Sequence, residues 1–385
     1  MLSRTDSRKK MNQATSEKLK LSANERMLLN IVRCAPGIAR SAIAAKTNLT
    51  QQSVHRLLEG LIQSDFIVLG ELVSQGRGKP SPGICLNPDA CFSVGVSLNT
   101  DTIQIMLLDF CGTPLTKTSA PFPPADRTQT LNWLKDQLAQ WREIYPRIQG
   151  KIVGIGLSVP GYFTGKKGFM KPSPPLSDWQ ETDLLQELET ILNYPAWILN
   201  NATTGAIGES LFGAGLRHDT FGYLSFNYGF GAGIVIHGEP FFGTFGNAGE
   251  IGRIYTREEM PMRPALNELI KRLAQHDIMI HSLSELRQHF SPGWPGVASW
   301  VEDVTPYLFR AINTLRGVID PGAIVLGGEL PPALGELLLA SVERHDTTRQ
   351  HDISVRPEIF VSEISNDPCL FGAALFPLRD TFFRH

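Results

Sequence analysis

Residues 151–161, KIVGIGLSVPG, hold nine residues of strand-like, apolar and glycine-rich sequence that stop at Pro160-Gly161. A short apolar run bounded by turn residues reads as a strand buried on both faces. Similar runs lie on either side: SVGVSL (93–98), IQIMLLD (103–109), AWILN (196–200), GYLSFNY (222–228), GIVIHG (233–238) and AIVLGG (323–328). Cys111-Gly112-Thr113-Pro114 reads as a turn between antiparallel strands. Helical patterns fall between the runs, at 126–145, 202–212, 264–274, 282–290, 297–319 and from Cys369 to about Phe382. Early grouped strands followed by an αβα return predict a two-lobed α/β body.

The segment before this body has a different character. The whole chain of 385 residues carries a net charge of -2. Residues 1–80 hold 13 Lys/Arg against 6 Asp/Glu, and the remainder 23 against 32. That asymmetry points to a polyanion-binding module on an acidic body. Residues 1–20 read as a basic flexible arm. Ser22 and Glu25 form a capping-box pattern that opens a helix with Met27, Leu28, Ile31 and Val32 on one face. A short helix is expected around Ser41 to Lys46. Thr50 then caps a third helix, whose stripe is Val54, Leu57, Leu58, Leu61 and Ile62.

The other faces of that third helix carry Gln51, Gln52, Ser53, His55 and Arg56. Gln pairs bidentately with adenine, and Arg with guanine or phosphate. On an isolated helix such residues are as well read as a solvated face. The following segment favours DNA: two strands (66–73 and 83–86) flank Ser74-Gln75-Gly76-Arg77-Gly78-Lys79-Pro80, a glycine-bent tip presenting Arg77 and Lys79 around Gly78. Three short helices and a basic hairpin make a winged helix-turn-helix pattern. Thr50, Gln51, Gln52, Ser53, His55, Arg56, Arg77, Gly78 and Lys79 are therefore the expected DNA-contacting residues.

Five scattered cysteines with no CxxC pair argue against a disulfide framework and fit a reducing compartment. The polar N-terminus and the lack of a bilayer-length apolar run place the protein in the cytoplasm, away from membranes.

Several elements of the body resemble one family. Gly154 to Gly161 is similar to the GIGxxxPG element of the ROK family (repressors, open reading frames and sugar kinases). Asn200-Asn201-Ala202 through Gly208-Glu209 resembles its ENDANAAALGE segment, and Gly246 to Gly252 its GxAGEIGH segment. Asp320-Pro321 through Gly327-Gly328 resembles DPxxIVLGG, and Gly372-Ala373-Ala374 the closing GAA. Together with the wing, the resemblance covers nearly the whole chain. It implies an actin-like, ribonuclease H-like two-lobed fold with a sugar cleft between lobes, in a homodimer or homotetramer. The expected division is arm 1–20, winged helix 21–88, a smaller lobe of 89–200 plus 366–385, and a larger lobe of 201–365 with the oligomerisation surface.

The departures from the family carry the functional expectation. Its kinases use the Asp of ENDAN as general base; Asn201 stands there, and a carboxamide cannot take the proton. The phosphate loop DxGGT is matched by Ser97-Leu98-Asn99-Thr100-Asp101, without the glycines. The second loop, GTGIGAG, is matched by Asn227 to Gly233, with Tyr228 for a threonine. No catalytic residue and no nucleotide cofactor are expected. Arg253 replaces a zinc-ligating histidine and Thr256 to Pro264 replaces the cysteine run, so no metal is expected.

Gly161, Asn200, Asn201, Glu250 and Arg253 are the expected effector-binding residues. Pro175 stands where a sugar-contacting asparagine would lie. Arg253 is expected either to pair with Glu250 or to bind an acidic sugar. The leading expectation is a regulator, a repressor of carbohydrate genes, binding a palindromic operator under a sugar-like effector. A sugar kinase with an appended reader and a regulator with no ligand are the alternatives.

Overall fold

A computed structural model describes residues 21–73, 81–165, 169–172, 174–180, 183–346, 355–364 and 367–383. They form two compact units. One comprises residues 1–92 with 109–113 and 377–385; the other comprises 93–108 and 114–376. The first unit thus runs past residue 88 and takes in a turn and the C-terminal segment, both assigned from sequence to the smaller lobe.

In the first unit α1 (Ala23–Cys34) starts at Ser22, whose Oγ accepts from the Glu25 N–H while the Glu25 carboxylate accepts from the Ser22 N–H. Leu28, Leu29 and Val32 are its buried residues. Leu29 thus replaces Met27 and Ile31, which are half-buried, because the packed face is rotated from the one expected. Next come α2 (Arg40–Ala45) and α3 (Gln51–Gln63), the latter burying Val54, Leu58 and Leu61. Strands β1 (Ile67–Val73) and β2 (Ser81–Leu86) pair antiparallel. A bridge from Ile38 to Ile84 fastens the hairpin to the helices. Phe66, Phe110, Phe382 and Phe383 close the unit with an aromatic cluster, their ring centroids 5.0–5.7 Å apart in the pairs Phe66–Phe110, Phe66–Phe382, Phe110–Phe382 and Phe110–Phe383. Arg33 lies over the Phe383 ring.

The second unit contains two five-stranded sheets. The first is built from β3 (Phe92–Leu98), β4 (Ile103–Asp109), β5 (Pro114–Ser119), β6 (Ile152–Val159) and β9 (Ala196–Asn200), with α4 (Arg127–Ile144) and α5 (Leu184–Leu192) between strands. A small hairpin of β7 (Gly161–Phe163) and β8 (Met170–Pro172) follows β6. After α6 (Asn201–Phe212), the second sheet uses β10 (Phe221–Phe226), β11 (Phe230–Ile236), β12 (Glu239–Pro240), β13 (Ala323–Gly328) and β14 (Glu358–Val361). Its helices are α7 (Leu266–Ala274), α8 (Leu283–His289), α9 (Val297–Ile319) and α10 (Pro332–His345). The orders β5-β4-β3-β6-β9 and β12-β11-β10-β13-β14 are the same arrangement used twice: the third, second, first, fourth and fifth strands of each lobe. That repeat is the two-lobed ribonuclease H-like architecture expected from the sequence.

Helix α6 positions the site. Nearly all of it is buried, polar residues included, which suits its small residues and lack of a polar face. Ser158 on β6 and Thr204 on α6 share a hydrogen bond of 2.9 Å. A Cβ at Gly372 would strike the Thr204 carbonyl, so only glycine permits that approach of α11 (Pro368–Leu378). The expected terminal helix changes form within itself. Pro377 lacks the N–H that an α-helix needs at that position, and the chain continues as a π-helical turn over Arg379–Phe383. No helix among the described residues is long and apolar enough to cross a membrane.

Candidate functional site

Two surfaces carry chemistry, one in each unit. On α3, Thr50 Oγ1 accepts from the Ser53 N–H at 3.2 Å and donates to Ser53 Oγ at 2.9 Å, so these two residues are spent on the cap. Gln51, Gln52, His55 and Arg56 are exposed along the first two turns. Arg40 on α2 reaches His55 Nδ1 at 2.8 Å and Glu59 Oε1 at 2.6 Å. His55 is thus tied to a neighbouring helix, whereas both glutamines and Arg56 face solvent. The wing residues Arg77, Gly78 and Lys79 lie outside the described residues.

The second surface is a cavity of about 340 Å³ in the larger unit, with several polar side chains in its lining. Four of the five expected effector residues line it: Gly161, Asn200, Asn201 and Glu250. Asn200 ends β9 and caps α6. Its Oδ1 accepts from the Ala202 N–H at 2.8 Å; its Nδ2 donates to the Gly161 carbonyl and, at 3.4 Å, to Glu250 Oε1. Gly161 is required there because a Cβ would meet the backbone of Lys171 and Pro172 at 2.5–2.6 Å. Gly249, at φ +90°, sets the turn that presents Glu250, and its carbonyl accepts from Ala232. Burial raises the Glu250 carboxyl above its ordinary range, and the charge of Arg253 partly offsets this.

Arg253 itself is exposed and does not line the cavity. Ile251–Ile254 is a 3-10 turn with Ile251 buried, and two residues further on the side chain leaves on another face. No ion pair joins it to Glu250 among the described residues. Arg263, on the loop before α7, lines the cavity instead, with Lys171 from β8. Thr256 to Pro264 stands where the family's cysteine run would lie, and nothing in its pattern singles out Arg263. The side chain of Pro175 lies outside the described set.

At the other end, Asn99, Thr100, Asn227 and Tyr228 line the cavity. Tyr228 Oη donates to Asp101 Oδ2 at 2.8 Å, and the Leu283 N–H at the start of α8 donates to the same oxygen at 3.3 Å. Burial, then the bond to Asp101, pushes the Tyr228 phenol well up. In sequence these loops resemble the family's two phosphate loops. A carboxylate held there repels a nucleotide's phosphates, and the side chains of Asn99 and Thr100 stand where glycine would let amides approach. The residues present do not fit a nucleoside triphosphate. A second polar cavity of about 190 Å³ lies alongside, lined by Glu329, Asp367, Arg287 and Lys117.

A two-lobed α/β body of the sugar-kinase fold with a cleft, preceded by a unit of three helices and a β-hairpin, is the class that this fold and site define. The chain belongs to the ROK family, whose model matches residues 93–379. It is 28% identical over 232 residues to the xylose repressor of Bacillus subtilis (strain 168), a match that spans 60% of each chain and so less than two thirds of that repressor. It is 24% identical over 387 residues to a putative xylose repressor of Caldicellulosiruptor sp. (strain Rt8B.4), covering 93% of this chain and 96% of that one. Among solved structures, a ROK family transcriptional regulator described as a homologue of the E. coli MLC protein superposes with a TM-score of 0.72 at 19% identity, covering 94% and 96% of the two chains. A glucokinase from Streptomyces griseus, in complex with glucose and AMPPNP, gives a TM-score of 0.57 at 20% identity, covering 74% of this chain and 98% of that one.

Proposed function

We propose that the chain is a cytoplasmic DNA-binding transcriptional regulator, a repressor of carbohydrate-metabolism genes, whose operator affinity is set by a sugar-like effector in the cleft. The observation that carries this reading is the first two turns of α3. They expose Gln51, Gln52 and Arg56, residue types that read base edges, on a helix capped by Thr50 and anchored by Val54, Leu58 and Leu61. Arg77 and Lys79 at the wing supply phosphate contacts. Repressor names among the relatives, one matched over nearly its full length, support the same assignment.

Gly161, Asn200, Asn201 and Glu250 bind effector hydroxyls, and Arg253 has no direct part. The chain performs no phosphoryl transfer, because Asn201 is no base and Asp101 with Tyr228 closes the phosphate position. A homo-oligomer presents paired readers to a palindromic operator, and an effector acts by favouring one spacing of those readers. Fluorescence anisotropy with DNA from upstream of the protein's own gene tests the reading. Tight, salt-sensitive and sequence-selective binding supports it. Binding no stronger than to scrambled DNA removes it.

A further inference from the structure

We infer that the cleft reads an oxyanion through Arg263: the effector is a sugar derivative bearing a carboxylate or a phosphate, rather than a neutral sugar. This rests on the reading of the cleft as an effector site. Arg263 lines the cavity, yet its Nε is buried without a hydrogen-bond partner among the described residues. Its Nη1 reaches only the Met260 thioether, a weak acceptor, at 3.7 Å. No carboxylate forms an ion pair with it among the described residues. Three other arginines of this unit are matched: Arg127 with Glu187 at 3.1 Å, Arg272 with Asp303 at 2.7 Å and Arg310 with Glu259 at 2.8 Å. A half-buried guanidinium whose Nε is unbonded among the described residues, at the wall of this cavity, calls for an anion from outside the chain. Its planar fork fits the two oxygens of a carboxylate or phosphate.

The rest of the lining agrees. Lys171 adds a second positive charge, and Glu250 is the one carboxylate among the described lining residues. Asn227 is 7% exposed, and its Oδ1 has no hydrogen-bond partner among the described residues. Together with Asn200, Asn201 and Glu250 it offers acceptors and donors for hydroxyls. The cavity thus joins hydroxyl-binding groups to an unmatched cation, which is the pattern of an acidic or phosphorylated sugar.

The test is calorimetric titration of the full chain with matched probes: glucose, glucuronate and glucose 6-phosphate, with the corresponding galactose and N-acetylglucosamine sets. At least one anionic probe is expected to bind about tenfold or more tighter than its neutral parent, the scale of a charge-assisted hydrogen bond. Arg263→Gln is expected to bring that ratio close to one, and Arg263→Lys to keep part of it. The unliganded melting temperature of each variant reports folding. The carboxylate and phosphate arms separate the two sources of charge. A neutral parent that binds as tightly, or a ratio unchanged by Arg263→Gln, overturns the inference. If the neutral sugar's binding is then lost in Glu250→Gln, the effector reading of the cleft survives alone. If no probe binds, both fall.

Discussion

Tyr228 Oη donates to Asp101 Oδ2 over 2.8 Å, joining the turn between β10 and β11 to the turn between β3 and β4. One bond thus ties a loop of each lobe at the place where the family's kinases hold phosphate. Its partner carboxylate is half-buried, and Asp101 Oδ1 has no hydrogen bond among the described residues. Tyr228→Phe removes the donor and leaves the charge in place. The expected loss is about 1–3 kcal/mol of stability, seen as a lower urea midpoint. An unchanged midpoint with an unchanged slope refutes the latch.

The same contact bears on catalysis. Asn201→Asp restores the carboxylate that a sugar kinase requires, but leaves Asp101, Asn99 and Thr100 in the phosphate position. No hexose-dependent ADP release is expected from that variant. Steady turnover with any hexose shows that the altered loops do not exclude the nucleotide.

On α3, Gln52→Ala and Arg56→Ala are expected to cost about 1–3 kcal/mol each against the cognate sequence if each side chain meets a base, and to relax selectivity at one position. Arg77→Ala with Lys79→Ala is expected to weaken binding to all sequences and to flatten the salt dependence. Competition anisotropy across several salt concentrations separates the two behaviours. Equal loss on every sequence from the α3 variants refutes base reading by that helix.

Phe382 is fully buried, 5.0 Å from Phe110 and 5.4 Å from Phe66 between ring centroids. Phe382→Ala opens a cavity in a small unit, at an expected cost of about 3–5 kcal/mol. Scanning calorimetry with a parallel DNA-binding assay checks it. Operator binding is expected to fail at a lower temperature in the variant. Unshifted melting and binding show that the C-terminal segment does not support the reader.

Burial is the main cause that pushes the Glu329 carboxyl up to about 8; Asp367 adds repulsion, and Arg287 at 3.8 Å draws it back. The folded state keeps this proton where an unfolded chain, with an ordinary value of 4.5, has released it. Stability from this group is therefore full below the unfolded value and is lost as pH rises through the folded one. Glu329→Gln cannot ionise, so its melting temperature is expected to fall less than wild type's between about pH 5 and pH 8, by a few degrees. Parallel curves remove the assignment.

Local interactions were the legible part of this protein. The Ser22–Glu25 box and the Thr50 cap depend on residues a few positions apart and stand where the sequence puts them; the strand runs recur with shifted ends, 222–228 stopping at Phe226 and 233–238 at Ile236. The alternation of Phe226, Tyr228 and Phe230 in the sequence predicts sheet packing. It holds for the two phenylalanines, which face each other across β10 and β11 with rings 5.2 Å apart. Tyr228, on the turn between them, goes to Asp101 instead.

The amino-acid sequence by itself determined the family, the two α/β lobes, the capped helices and the asparagine at position 201, because each is written in residue identity or short spacing. Only the tertiary structure decided which arginine enters the cleft, what holds the phosphate loops, and that Phe382 completes the N-terminal unit. Those outcomes depend on where a short 3-10 turn aims its side chains, and on contacts between residues more than a hundred positions apart, such as Asp101 with Tyr228. Local periodicity carries no record of such pairings; they arise when the two lobes pack their turns against one another.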